Sequence, residues 1–210
     1  MKRLTLIALT IVAAGCFSSA LKAQQIPLYS QYHNNPFLYN PARAGETTNL
    51  QVNGIYRKQW TDFNGAPETR ALTLDGAIQN KRIGLGGYLF SDNTDILERL
   101  GGKASYAYHL PLGSNKQHTV SLGISVGFEQ VGIDEQRIEV TDPQDPLVRN
   151  NLSNGGAFDA SEGLNYSFKG LNLGVSVPQI IGNELSFVTN KNEGGANYQL
   201  SRHYLVKCSA

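Results

Sequence analysis

Methionine and tryptophan occur once each in the 210 residues, and cysteine only twice, as Cys16 and Cys208. Two cysteines so far apart build no disulfide framework, and loss of the leader described below leaves Cys208 alone. Nothing after residue 23 approaches the ~18 consecutive apolar residues that a membrane-spanning helix needs, which excludes a helical membrane protein. The 18 Lys and Arg are matched by 17 Asp and Glu with no basic stripe, an argument against nucleic acid as a partner. Helical hydrophobic spacing is also missing. The four histidines, His33, His109, His118 and His203, stand in neither a Gly-x-Ser-x-Gly context nor a His-x-x-x-His pair. No catalytic, cofactor-binding or metal-binding residue is therefore assigned. "TDPQDPLVRNN" lacks the Asp-rich spacing of a calcium loop and reads as a surface loop.

What is present begins with an export leader. Lys2 and Arg3 precede an apolar run, Leu4 to Ala14, which relaxes through Ser18 and Ser19 to Ala23. This is the pattern of a secretory signal peptide, residues 1–23, cleaved after Ala23. Cys16 follows "AAG" in a loosely lipobox-like manner, but no leucine stands three residues before it and apolar sequence continues after it. Removing Lys2, Arg3 and Lys22 takes the formal charge from +1 to −2.

The chain is rich in glycine, with 22, and tyrosine, with 10, and its apolar residues are scattered singly. They alternate. In "SLGISVGFE", Leu122, Ile124, Val126 and Phe128 share one face, against serines, glycines and Glu129 on the other. "LNLGVSV", "LNYSF" and "KASYAYHL" repeat the pattern, a period-two β signal. The second face is too small and polar for a packed exterior and suits a wet lumen, as in a transmembrane β-barrel. Strands are expected near 48–59, 68–78, 82–92, 100–112, 118–132, 156–169, 171–180 and 202–210.

The connections alternate between tight ("QNKR", "LGSNKQ", "KG") and longer ("WTDFNGAPE", "NTDILER", the stretch from Asp134 to Gly156, the stretch from Ile181 to Leu200). Outer-membrane barrels have short periplasmic turns and longer outer loops, and a soluble sandwich has no reason to keep that parity. The expected fold is all-β, an antiparallel transmembrane outer-membrane β-barrel over residues 47–210. About eight strands of a larger barrel are expected, because the chain ends at "HYLVKCSA", part-way through a strand, and small lumen-facing residues would fill an eight-stranded interior poorly.

Residues 24–46 form a separate N-terminal segment, placed by the parity in the periplasm. "YSQYHNNPFLYNPARAG" has neither helical nor strand periodicity; Pro36 and Pro41 block a helix, and the asparagines favour successive turns. Its aromatic residues offer a packing surface, which marks it as a plug or docking strap. In "YRKQW", Tyr56 and Trp60 suit an interfacial aromatic girdle, with Arg57 and Gln59 directed to the lumen.

"QIPLYSQYHNNPFLYNPARAG", "VNGIYRKQW" and "NGAPETRALTLDG" together resemble the start of the PorP/SprF family, outer-membrane proteins of type IX secretion and gliding in Bacteroidetes. The match is carried by Gln31, Tyr32, Asn35, Pro36, Asn40, Pro41 and Gly45, then Tyr56, Arg57, Gln59, Trp60, Gly65 and Pro67. "IGLGGYLFSDNTD" and "YAYHLPLG" extend it. The resemblance implies a non-enzymatic component that assists secretion or surface attachment of an adhesin-like client through protein contacts. It also implies periplasmic ring proteins, a peptidoglycan-associated protein and outer-membrane lipid as partners. A general diffusion porin or a passive surface-adhesion scaffold are the alternatives that the strand pattern alone allows.

Overall fold

The structure, a computed structural model, describes residues 34–47, 49–62, 65–78, 81–113, 117–133, 155–182, 184–186, 197–199 and 202–209. The signal peptide, Gln31, Tyr32 and the connection 134–154 lie outside the described residues. Two 3-10 turns, η1 (Pro36–Leu38) and η2 (Pro41–Arg43), come first. Strands β1 (Gln51–Lys58), β2 (Glu68–Ile78), β3 (Ile83–Thr94), β4 (Leu97–Leu112), β5 (His118–Ile133), β6 (Gly155–Phe168) and β7 (Leu171–Val177) follow. The short β8 (Glu184–Ser186) and β9 (Asn197–Gln199) precede β10 (Leu205–Ser209). One eight-stranded sheet has the order β1-β2-β3-β4-β5-β6-β7-β10, antiparallel throughout, and curls into a half-barrel. β8 and β9 pair with each other as a hairpin inside the β7–β10 connection, an element that the strand pattern did not announce.

The sheet is inside-out by the standards of a soluble protein. Along β4 the exposed residues are Ala104, Tyr106, Tyr108 and Leu110, and the buried ones Lys103, Ser105, Ala107 and His109. Val206 is 81% exposed and Leu89 62%, while Thr73 is 0% and Asp159 1% exposed. In water this arrangement would waste the hydrophobic effect. Against hydrocarbon it is the arrangement expected, with apolar residues outward and polar ones in the lumen.

β2 takes up the expected residues without change, and β7 ends at Val177 because Pro178 has no N–H for the ladder. The expected longer loop at "NTDILER" is corrected. The ladder between β3 and β4 runs out to Thr94↔Leu97, so only Asp95 and Ile96 turn the chain. Asp95 takes φ 50°, a left-handed conformation that Asp tolerates better than most residues. A polar cluster was read as loop where strand pairing continues through it. The β2–β3, β4–β5 and β6–β7 connections leave one end of the sheet, called here the tight-turn end. The β1–β2, β3–β4, β5–β6 and β7–β10 connections leave the other, the loop end.

β4 and β5 have 16 residues each, against the ~9–11 that cross a bilayer, so both project beyond the apolar belt. Val126, on the outer face of β5, is 60% exposed and lies within that belt. Val126→Arg is expected to lower stability by about 2–4 kcal/mol, the cost of a cation on the lipid face near mid-bilayer. Urea unfolding of the protein in phospholipid vesicles, followed by the fluorescence of Trp60, measures it. No change would place the apolar face away from lipid.

Candidate functional site: a filled lumen and a loop-end rim

Residues 34–47 lie against the concave face of the sheet. Two Asn-Pro-type steps shape them. Pro36 and Pro41 each occupy the first position of a 3-10 turn, where the missing N–H costs nothing. The Asn40 side chain caps the second turn, its Oδ1 accepting from the Ala42 N–H at 2.9 Å. The turns close through Tyr39 N–H to Pro36 O, 3.3 Å, and Ala44 N–H to Pro41 O, 3.1 Å.

This plug is tied to the wall from β2 to β7. Asn35 Nδ2 donates to Thr73 Oγ1 at 2.7 Å, and the Gly45 N–H to Asp75 Oδ2 at 2.9 Å. Asn40 Nδ2 donates to Leu164 O at 3.1 Å, while Ser176 Oγ donates to Tyr39 O at 2.8 Å. His109 Nε2 lies 2.9 Å from Ala44 O. A carbonyl only accepts, so Nε2 is the protonated nitrogen. Ser121 Oγ, 2.8 Å from Nδ1, supplies the ring's second partner. Phe37, 3% exposed, packs edge-on against Tyr88 with centroids 6.1 Å apart.

The small residues of the inner wall are the seat of the plug. A Cβ on Gly84 would stand 1.8 Å from Ala44 O, and one on Gly123 would stand 2.2 Å from Ala42 N. On Gly163 it would meet Asn40 Oδ1 at 2.0 Å. At Gly84 and Gly123 backbone approaches backbone, at Gly163 the Asn40 side chain approaches the wall, and only glycine leaves the room. One expectation is corrected here: the small inner face is not a wet surface at this level, because the chain's own segment lies against it.

Toward the loop end, the inner wall carries two buried ion pairs. Arg99 binds Glu129 through both Nε, at 3.0 Å, and Nη2. Lys103 pairs with Asp159 and donates to Ser161 Oγ at 2.9 Å. All four charged residues are less than 9% exposed. Burying charges is tolerable only with such partners, and removing one of a pair is costlier than never having it. A cavity of about 60 Å³ separates Leu38 and Tyr39 of the plug from Arg99, Lys103, Glu129 and Gln179.

The sequence-derived site residues fall into two groups. Asn35, Pro36, Asn40, Pro41 and Gly45 build the plug. Tyr56, Arg57, Gln59, Trp60, Gly65 and Pro67 build the rim where β1 passes to β2. There Gln59 N–H donates to Pro67 O at 3.0 Å, and Asp95 N–H to Gly65 O at 3.0 Å, which ties this loop to the β3–β4 turn. Gly65, at φ 76°, is required, since a Cβ would meet Asp95 Oδ1 at 2.4 Å. Tyr56 and Trp60 are 65% and 70% exposed, with the Arg70 guanidinium 5.8 Å from the Tyr56 ring centroid. Arg57 is half-buried on the opposite face of β1. His109 was placed on the lumen-facing side of its strand by the alternation; the seat residues Thr73, Asp75 and Ser176 were not singled out from the sequence, their only signal being polarity on the minor face. His109 and Ser121 touch, yet Nε2 is engaged by Ala44 O and the pair is sealed beneath the plug, so it offers no base to a substrate.

An apolar outer wall and a polar inner wall define a membrane protein of the β-barrel class, and among the described residues no helix is long and apolar enough to cross a membrane. Residues 21–209 match the family described as type IX secretion system membrane protein PorP/SprF, and the chain belongs to that family. No curated protein and no solved structure matches it.

Gly84→Val is expected to unseat the plug while leaving the outer wall intact. Trypsin should then cut at Arg43, which is largely buried in the native chain, at least tenfold faster, a rate set by the population of the open form. Gly54→Ala, with no atom within 4 Å of the added carbon, is expected to leave the cleavage rate unchanged. Asn40→Ala should cost about 1–3 kcal/mol of plug stability, because the cap and the bonds to β6 and β7 go together. Hydrogen exchange at the Ala42 and Ala44 amides measures it.

Proposed function

We propose that this chain is a non-enzymatic outer-membrane component of the type IX machinery, working through protein contacts to assist the secretion or surface attachment of an adhesin-like client. Its tight-turn end faces the periplasm and its loop end the exterior, with residues 1–23 serving as the export signal. The periplasmic ring proteins and a peptidoglycan-associated protein are its partners on the inner side, and the exposed Tyr56 and Trp60 mark the outer rim as a contact or anchoring edge.

The observation that carries this reading is the occupied concave face of the half-barrel. A diffusion porin needs an open path, whereas residues 34–47 bond to β2, β4, β6 and β7 across the concave face. A passive adhesion scaffold would explain neither the close backbone seat nor membership of a secretion family.

Deleting the gene is expected to remove client adhesins from the cell surface, and the wild-type chain should restore them. The same chain in a planar bilayer is expected to show no steady single-channel conductance. Normal adhesin display in the deletion strain, or robust conductance by the wild-type protein, would overturn the proposal in favour of a scaffold or a porin respectively.

A further inference from the structure

Charge is divided between the two ends of the sheet. The connections of the tight-turn end, "QNKR", "GSNKQ" and "KG", hold Lys81, Arg82, Lys116 and Lys169 and no Asp or Glu. The loop-end connection 134–154 has more Asp and Glu than Lys and Arg. Just inside the cationic end, the outer face of β5 and β6 carries a cluster of rings. His118 lies nearly flat on Phe168, its cross-strand partner, with centroids 4.2 Å and planes 11° apart. Its Nδ1 is 2.6 Å from the Tyr166 hydroxyl. The Lys169 ammonium stands 5.4 Å from the centroid of the same Phe168 ring.

A girdle that only anchors needs rings, and this one also offers donors. A phenol donating to Nδ1 leaves the proton of the neutral imidazole on Nε2. Among the described residues Nε2 has no hydrogen-bond partner and the exposed Lys169 no carboxylate. Two N–H donors, one of them cationic, thus lie against one ring at the margin of the apolar belt, a pairing that suits a phosphate. Leu112 and Leu171 complete the row across β4 and β7. Leu110, Leu122, Leu164 and Leu173 carry the exposed apolar face onward into the belt. An open hollow of about 630 Å³ follows, with Tyr108, Leu122, Leu164 and Val175 on its near side. Free phosphate would use the donors and leave this bed bare, and a hydrocarbon tail alone would do the reverse. A phospholipid uses both.

We propose that His118, Tyr166, Phe168 and Lys169 form a headgroup site for a glycerophospholipid. Its phosphate takes the His118 and Lys169 N–H groups, and its acyl chains lie along the outer face of β5 and β6. Lys81 and Arg82, exposed in the β2–β3 connection, add attraction for anionic headgroups. The inference rests on the reading given above that the tight-turn end faces the periplasm, since that leaflet of an outer membrane is glycerophospholipid and the other lipopolysaccharide. It assigns a ligand to a stretch of the outer wall, and a lipid held there fixes the depth at which the cationic turns stand.

Native mass spectrometry of the full chain, stripped of lipid in non-ionic detergent and titrated with dioleoyl-phosphatidylglycerol, tests it. A single lipid is expected to bind about tenfold or more tightly than dioleoylglycerol, which has the same chains and no phosphate. Inorganic phosphate should give no adduct. Lys169→Asn removes the cation but keeps a residue that tolerates the left-handed turn at φ 47°. His118→Phe keeps the ring stack and removes the N–H. The two together should weaken phosphatidylglycerol binding about tenfold or more, with Lys169→Arg retaining it and Lys58→Gln, at the loop end, without effect. Equal heat-modifiable mobility establishes that the variants are assembled, and the comparison of the two lipids needs no variant. Equal binding of dioleoylglycerol, an adduct with inorganic phosphate, or undiminished binding by the double variant would overturn the site. Tighter binding of lipid A than of phosphatidylglycerol would overturn both the ligand and the orientation on which it rests. Adhesin display is read separately, in the deletion strain, so the secretion reading can fail with the lipid site intact.

Discussion

A polypeptide in hydrocarbon must satisfy every backbone N–H and C=O internally, since each one left unpaired costs several kcal/mol. Between its edge strands β1 and β10 the curled antiparallel sheet meets that demand, and much else in the chain follows from it. Side chains on such a sheet alternate between lipid and lumen, so the apolar set of β4, β5 and β6 must face outward and the polar set must share a narrow interior. That interior then has its own problem. Thr73, Asp75, Asn165, Ser176 and the charged residues are withdrawn from bulk water and need partners.

Two solutions share the space. At the tight-turn end the partner is the chain itself. The plug's carbonyls and amides, freed by short 3-10 turns that satisfy few of them, become the donors and acceptors that the wall requires. The glycines at 84 and 123 let the two backbones approach closely, and the one at 163 admits the Asn40 side chain. Toward the loop end the wall satisfies itself through the Arg99–Glu129 and Lys103–Asp159 pairs, which cross between adjacent or near strands. Neither arrangement presents a free nucleophile or base to an incoming substrate. Both make the concave face a structural interior.

The same economy explains the family motif. Of the residues before β1, Asn35, Asn40 and Gly45 bond to the wall, and Pro36 and Pro41 open the two 3-10 turns. The later Gln59, Gly65 and Pro67 lock the β1–β2 connection to the β3–β4 turn. Tyr56 and Trp60 are different in kind: both are exposed, and packing within the chain does not account for them.

Period-two patterning was enough to place the strands and to orient their faces, because a strand's side-chain direction is decided by residue parity alone. Thus β2 could be read end to end, and His109 assigned inward, from the order of residues. The non-periodic character of residues 29–45 likewise marked them as a distinct element. What lay beyond the sequence was everything that depends on distance between segments. That Asn40 would reach Leu164 and that Gly84 would receive Ala44 are contacts across 124 and 40 positions; no local pattern encodes them. Pairing energy, which local polarity does not report, carried β3 and β4 past a polar cluster to a two-residue turn and brought Arg99 into the lumen. Glu162 reads in sequence as one polar residue among others. Only the folded sheet places it on the outer face, opposite Ile124 and Val177.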